Sequence, residues 1–239
     1  MRAPFASLLL AAAFLSGSPA APPEKSAPPQ FPWKIPPLAA FLAKIPPPPA
    51  LGTPAAQRDL ATVLKLQSAA TPEKIAQAER SYDLTVFTFA PAIGPDFTPQ
   101  RYPQTAKFFK RLNDLVNYVN NYVKDAYKRP HPFQVSTAVK RFVIAKPGWS
   151  YPSYHSARCV VFQYVLDQLD PGHNAAFQRI SAQVEKDRVF AGEHFPSDIQ
   201  GGIRLGKLIR AALVKDPGFR GDIAALKKAE WTPPPRVSQ

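Results

Sequence analysis

Apolar residues recur every three or four positions over most of the chain, the spacing of one helical face, and proline or glycine interrupts each run. The longest such run covers 104–127. There Phe108, Leu112, Leu115, Val119, Tyr122 or Val123, and Ala126 form one face, and Pro130 follows the end. Thr53-Pro54 and Thr71-Pro72 each read as an N-cap with proline at the first helical position. Leu60, Val63, Leu64 and Gln67 continue the first helix, and Ile75, Ala78 and Tyr82 the second. Further helices are predicted over about 154–169, 174–189, 197–213 and 217–228, with Asp170-Pro171-Gly172 as a turn. Segments 83–103 and 129–151 are broken by prolines and glycines and read mostly as loop. Thr85 to Phe89 has the composition of a short strand, yet irregular or helical structure is expected there. No strand series and no internal repeat is found, so the pattern predicts an all-α fold, a helical bundle.

The first part of the chain departs from this pattern. Residues 1–20 have the order of a signal peptide: Arg2, an apolar run from Leu8 to Leu15, then Ser18-Pro19-Ala20. The run is too short to span a bilayer, and no other stretch approaches the required length. Export to the periplasm or beyond, with no membrane insertion after signal removal, is the expectation. Residues 21–54 form a proline-rich arm with Pro28-Pro29, Pro36-Pro37 and Pro46-Pro47-Pro48-Pro49. Polyproline II without a core of its own is predicted there. Two readings stay open, a spacer or a segment held to the domain by Phe31, Trp33, Ile35, Leu38, Phe41 and Leu42. The domain proper is read as 55–231, with a frayed tail at 232–239.

Charge narrows the class of partner. Lys plus Arg is 30 and Asp plus Glu is 17, a net +13. The cations are scattered along the helices and no run of five occurs, which favours small anions over nucleic acid. Cys159 is the single cysteine, which excludes an intrachain disulfide and a cysteine-rich zinc site. No dense carboxylate cluster suggests a magnesium or two-metal site, and no cofactor is expected.

Three polar clusters carry the candidate chemistry. Arg188, His194 and Asp198 flank a Pro-Ser helix start. Arginine grips two oxygens of a phosphate in fork geometry, an imidazole can attack phosphorus, and a carboxylate can hold one ring nitrogen and leave the other free. Pro152-Ser153-Tyr154-His155 begins a helix, with Ser153 as N-cap, and the unpaired N–H groups of such a turn favour anions. Lys124 closes a helix, and six residues separate it from His131-Pro132.

Taken together the clusters resemble the signature of the phosphatidic-acid-phosphatase type 2 superfamily, which includes the vanadium haloperoxidases. That signature is Lys, six residues, Arg-Pro; then Pro-Ser-Gly-His; then Ser-Arg, five residues, His, three residues, Asp. Over about 55–231 the chain looks most like the secreted bacterial class A acid phosphatases, including Asp59 to Gln67 and Thr71-Pro72. The resemblance implies a helical bundle of the type 2 phosphatidic acid phosphatase/haloperoxidase kind. It implies His194 as the nucleophile that forms a phosphohistidine, Asp198 as its support, and His155 as the acid for the leaving alkoxide and then the base for water. It implies Lys124, His131, Ser153, Tyr154 and Arg188 as holders of the phosphate oxygens, without metal.

Three positions differ from the signature: His131 replaces Arg, Tyr154 replaces Gly, and Asp187 replaces Ser. His131 is expected to contact phosphate chiefly in its protonated form, at acidic pH. The alternative is that it points away and Arg129 fills the gap. Tyr154 is expected to wall the pocket and restrict its substrates. Asp187 is expected to pair with Arg188 or another cation, or to repel phosphate. The function expected is a secreted, metal-independent acid phosphatase acting on small phosphate monoesters. Pyrophosphate or lipid-phosphate hydrolysis and a weakened phosphate-binding envelope protein are the alternatives, with a vanadate-dependent haloperoxidase more distant. A homo-oligomer is left open.

Overall fold

The computed structural model describes residues 29–144 and 148–232. The expected signal peptide, the start of the arm and residues 233–239 of the tail lie outside the described residues. The chain runs through α1 (Leu38–Leu42), α2 (Pro54–Gln67), α3 (Pro72–Arg80), α4 (Ala90–Ile93), α5 (Pro103–Tyr127) and α6 (Pro132–Val135). It continues through α7 (Tyr154–Leu169), α8 (Asn174–Phe190), α9 (Pro196–Leu213) and α10 (Pro217–Leu226). No strand occurs among the described residues, so the fold is all-α. The Thr85–Phe89 run is a 3-10 turn, Val86–Phe89, capped by the Thr85 and Thr88 side chains. Both segments read as loop thus contain short helices.

Caps hold the long helices where the sequence places them. Thr53, Thr71, Ser153 and Asp216 each accept a backbone N–H from the first turn of the following helix. The start of α5 lacks a local cap. Glu230, far along the chain, accepts from the N–H groups of Gln104 and Thr105 at 2.7 and 2.9 Å and places an anion at the positive end of the helix.

The core lies between α5, α7, α9 and α10, with Phe108, Leu112, Leu115, Phe162, Leu166, Leu205, Ile209 and Phe219 among its buried side chains. The described part of the proline-rich segment belongs to it. Trp33 sits 5.1 Å from both Phe108 and Phe219 by ring centroids and donates to Asp222 Oδ2 at 3.0 Å. Phe41 and Ile45 are buried beside it. Pro46 to Pro49 then run past α9, where Tyr127, Tyr151 and Arg204 donate to the carbonyls of Ile45, Pro46 and Lys44. From residue 31 onward the arm is a packed strap, held by the burial of its aromatic and aliphatic side chains in the core.

The contact that positions the site is α7 against α9. Gly201, Gly202 and Gly206 form a stripe on α9 where added β-carbons would overlap the Tyr151 ring, Ser153 O and Ala157 O. Their lack of side chains brings the first turn of α7 onto the first turns of α9. Among the described residues no helix is long and apolar enough to cross a membrane.

Candidate active site

His194 lies between α8 and α9, and the turn that presents it needs a glycine. Gly192 has φ +77°, and a β-carbon there would meet Lys140 O at 2.5 Å. The N–H groups of Glu193 and His194 then both reach Arg188 O at 3.2 Å, which folds the imidazole back over the end of α8. Asp198, in the first turn of α9, accepts from Phe195 N at 2.8 Å and lies 3.5 Å from His194 Nδ1 through Oδ2. At that distance the contact is at the long limit of a hydrogen bond, and Asp198 acts on the ring through it and through its charge.

His155, in the first turn of α7, places Nε2 2.8 Å from Tyr82 O. A nitrogen facing a carbonyl carries hydrogen, so Nδ1 is the atom left for chemistry. His131 likewise places Nδ1 2.5 Å from Glu193 O, which leaves Nε2 free, and its ring stacks on Phe133. Its centroid is 5.9 Å from that of His194. The three imidazoles line one cavity of about 880 Å³, together with Lys124, Arg188, Tyr154 and Trp149. Their sequence separation gave no sign of distance, but their elements meet at one end of the bundle.

The cations are held without being used up. Arg188 is fully buried and donates through Nη2 to Ala78 O and to Ser81 Oγ, while Nε and Nη1 have no partner among the described residues. Lys124 donates to Trp149 O. Burial pulls Lys124 down to about 8, against the attraction of Asp198 and Glu193. Burial also pulls His194 down to about 4, and it holds His155 well below the ordinary imidazole value, with Arg158 and Arg188 adding to the effect. His131 is lowered by burial too. Burial pushes Asp198 up, but His194, Arg129 and the Phe195 N–H outweigh it and hold the carboxyl below its usual range.

Two expectations change, and the alternative for position 131 does not hold. Ser153 does not face the cavity: its hydroxyl accepts from Ser156 N at 3.3 Å and its own N–H reaches Asp198 O at 2.9 Å. It shapes the α7 turn and ties it to α9. Among the described residues Asp187 makes no ion pair and does not line the cavity, although its charge acts on the neighbouring Arg188 and favours the guanidinium's charged form. The amides of Gln183 and Gln77 donate to its two oxygens at 2.7 and 3.3 Å. Arg129 does not fill the gap left by His131. It is buried behind the site, over the Phe195 ring, donating to Asp198 Oδ1 and Ser197 Oγ at 2.6 Å and to Asp59 Oδ2 at 3.2 Å.

That second layer escaped the sequence reading. Asp59 also accepts from Ser197, so α2 braces the start of α9 through Arg129. A carboxylate on the inner face of a helix was the available signal. Glu193 faces the cavity as well, held by Arg141 at 2.9 Å. Arg158 is another cavity residue that was not singled out, although its place three residues after His155 puts both on one face of α7.

No family model matches the chain. The chain is 27% identical over 194 residues to a non-specific acid phosphatase of Salmonella typhi, covering 77% of each. It is 26% identical over 196 residues to a non-specific acid phosphatase of Providencia stuartii, covering 78% of this chain and 79% of the relative. It is 28% identical over 196 residues to an acid phosphatase of Zymomonas mobilis, covering 76% and 72%. Among solved structures, a transmembrane PAP2-type phosphatidylglycerolphosphate phosphatase from Bacillus subtilis matches with a TM-score of 0.50 at 21% identity, over 78% of this chain and 93% of that one. At that identity the likeness concerns the fold.

Proposed function

We propose that this chain, an acid phosphatase-like member of the phosphatidic-acid-phosphatase type 2 superfamily, hydrolyses small phosphate monoesters through a phosphohistidine. The observation that carries the reading is that His155 and His194 line one cavity with Lys124 and Arg188. Lys124 and the unpartnered donors of Arg188 meet the charge of a phosphate dianion, and the leading amides of α7 add partial positive charge. His131 adds a donor through Nε2 when protonated.

In this reading Asp198 keeps the hydrogen of His194 on Nδ1, so the lone pair on Nε2 attacks phosphorus. The N–P bond forms as the P–O bond to the leaving group breaks. His155, protonated in the complex, gives its proton to the departing alkoxide. It then takes a proton from water as the water oxygen bonds to phosphorus and the N–P bond breaks. Burial keeps His194 neutral and nucleophilic in acid, down to about 4. The phosphate dianion favours the charged form of His155, opposite to the effect of burial. Residues 1–20 are proposed to direct export, so the enzyme would act in the periplasm or outside the cell.

The test is turnover of phenyl phosphate between about pH 4 and pH 8, with chelator present, by the wild type and His194→Ala. Wild-type turnover that persists with chelator, falls about a thousandfold or more in the variant, and leaves a trappable acid-labile phosphoenzyme only in the wild type is expected. Undiminished turnover by His194→Ala would rule the mechanism out.

A further inference from the structure

The cavity extends past the imidazoles along α5, where Lys110, Asn113 and Asn117 face Tyr154 and Arg158 of α7. Arg158 follows His155 by one turn, and the two use neighbouring carbonyls of the chain beside them. His155 Nε2 meets Tyr82 O at 2.8 Å, and Arg158 Nη1 donates to Leu84 O at 2.7 Å. Nη1 also donates to Asn113 Oδ1 at 3.0 Å, which accepts the Tyr154 hydroxyl at 2.8 Å. The guanidinium lies 4.0 Å over the Tyr154 ring. One end and one face of the group are therefore fixed. Its side edge, formed by Nε and Nη2, makes no hydrogen bond among the described residues, and Nε is fully buried.

Arginine binds carboxylate or phosphate through such uncommitted N–H groups, and Nη2 is the one that is not sealed from a ligand. Arg158 is 8% exposed, and among the described residues no carboxylate lies within ion-pair distance of it. A buried guanidinium without a direct ion pair is costly, and Asp83 acts on it only from a distance, so a ligand anion would relieve it. The other cations of the cavity have their own tasks. Lys110 pairs with Asp114 at 2.7 Å, and Lys124 and Arg188 face the proposed scissile phosphate.

We propose that Arg158, with Tyr154 and Asn113 fixing it, anchors a second anion subsite that takes a phosphate or carboxylate on the leaving group of the substrate. The inference rests on the phosphatase reading and narrows it: the favoured substrates carry a second negative group close to the scissile ester, as diphosphates and phosphorylated acids do. Tyr154 then has a reason to replace a small residue, because its ring supports the guanidinium face.

The experiment compares kcat/KM for phenyl phosphate, pyrophosphate and 2-carboxyphenyl phosphate in the wild type and Arg158→Gln. The loss in the variant should be about tenfold or more greater on at least one of the two anionic leaving groups than on phenyl phosphate. A selective loss on pyrophosphate identifies a phosphate subsite, and one on the carboxy compound a carboxylate subsite. An equal loss on all three substrates, or none, overturns the proposal. Should the variant fail to fold, the wild type alone decides. Methylenebisphosphonate should then bind about tenfold or more tightly than methylphosphonate, and equal binding overturns the subsite. Absence of phenyl phosphate turnover would defeat the parent reading, while bisphosphonate binding measured by calorimetry would still test Arg158.

Discussion

At position 131 an imidazole stands where the motif has a guanidinium, and its surroundings limit what it could do for a phosphate. Glu193 O takes Nδ1 at 2.5 Å and Phe133 stacks on the ring, so only Nε2 can meet a ligand. Burial lowers its proton affinity in the free protein, and a bound phosphate favours the charged form. Its grip on phosphate should therefore strengthen as pH falls. Comparing His131→Arg with the wild type cancels the ionisation of phosphate itself. Inhibition by phosphate should be similar for the two near pH 5, with the variant about five- to tenfold tighter near pH 7, because arginine stays charged. A ratio that does not change with pH would show that His131 does not touch the anion. Arg129, by contrast, is committed to Asp198 and Asp59 and has no reach into the cavity.

Helix contacts determine whether these residues meet at all. The first turns of α7 and α9 touch through Gly202, where a β-carbon would overlap Ser153 O and approach Ser156 Cβ at 2.8 Å. Backbone cannot yield there as the far end of a side chain can. Gly202→Ala should lower stability by about 1–3 kcal/mol in urea unfolding, and kcat should fall as well, because separating the helices moves His155 away from His194. Unchanged stability would mean that the close approach is not needed. The same logic applies to the turn at Gly192, where a positive φ and the approach of Lys140 O both select glycine. Gln67 strengthens that corner by donating to Lys140 O and Phe190 O at 2.7 and 2.9 Å.

For the whole molecule, gathering imidazoles in one buried cavity makes stability depend on pH. His131, His155 and His194 all have folded pKa values below the unfolded value of about 6.5, so the unfolded chain binds more protons than the folded one just below that pH. Their contribution is complete above about 6.5 and is lost as pH falls. Glu185 acts in the opposite sense, since burial pushes it up to about 7, but it is one group against three. The free protein should thus melt at lower temperature near pH 5 than near pH 7, and saturating phosphate should reduce the difference by favouring charged imidazoles. A melting temperature that is flat or higher at pH 5 would contradict the assignment of these three groups as buried and neutral.

Helix positions were legible in the sequence because periodicity, N-caps and prolines are local properties. Thr53-Pro54, Thr71-Pro72 and the face from Phe108 to Ala126 define their helices without reference to the rest of the chain. The motif residues were legible for the same reason, as fixed spacings of reactive side chains. What only the tertiary structure decided depends on partners distant in the chain. The packing of Trp33 against Phe108 and Phe219, the tie of the Ser153 N–H to Asp198 O, the pairing of Arg129 with Asp198 and Asp59, and the open edge of Arg158 each follow from which groups compete for the same donor or acceptor once the helices meet. A residue's type sets what it can bind, and its neighbours in space determine which of those bonds remain free for a ligand.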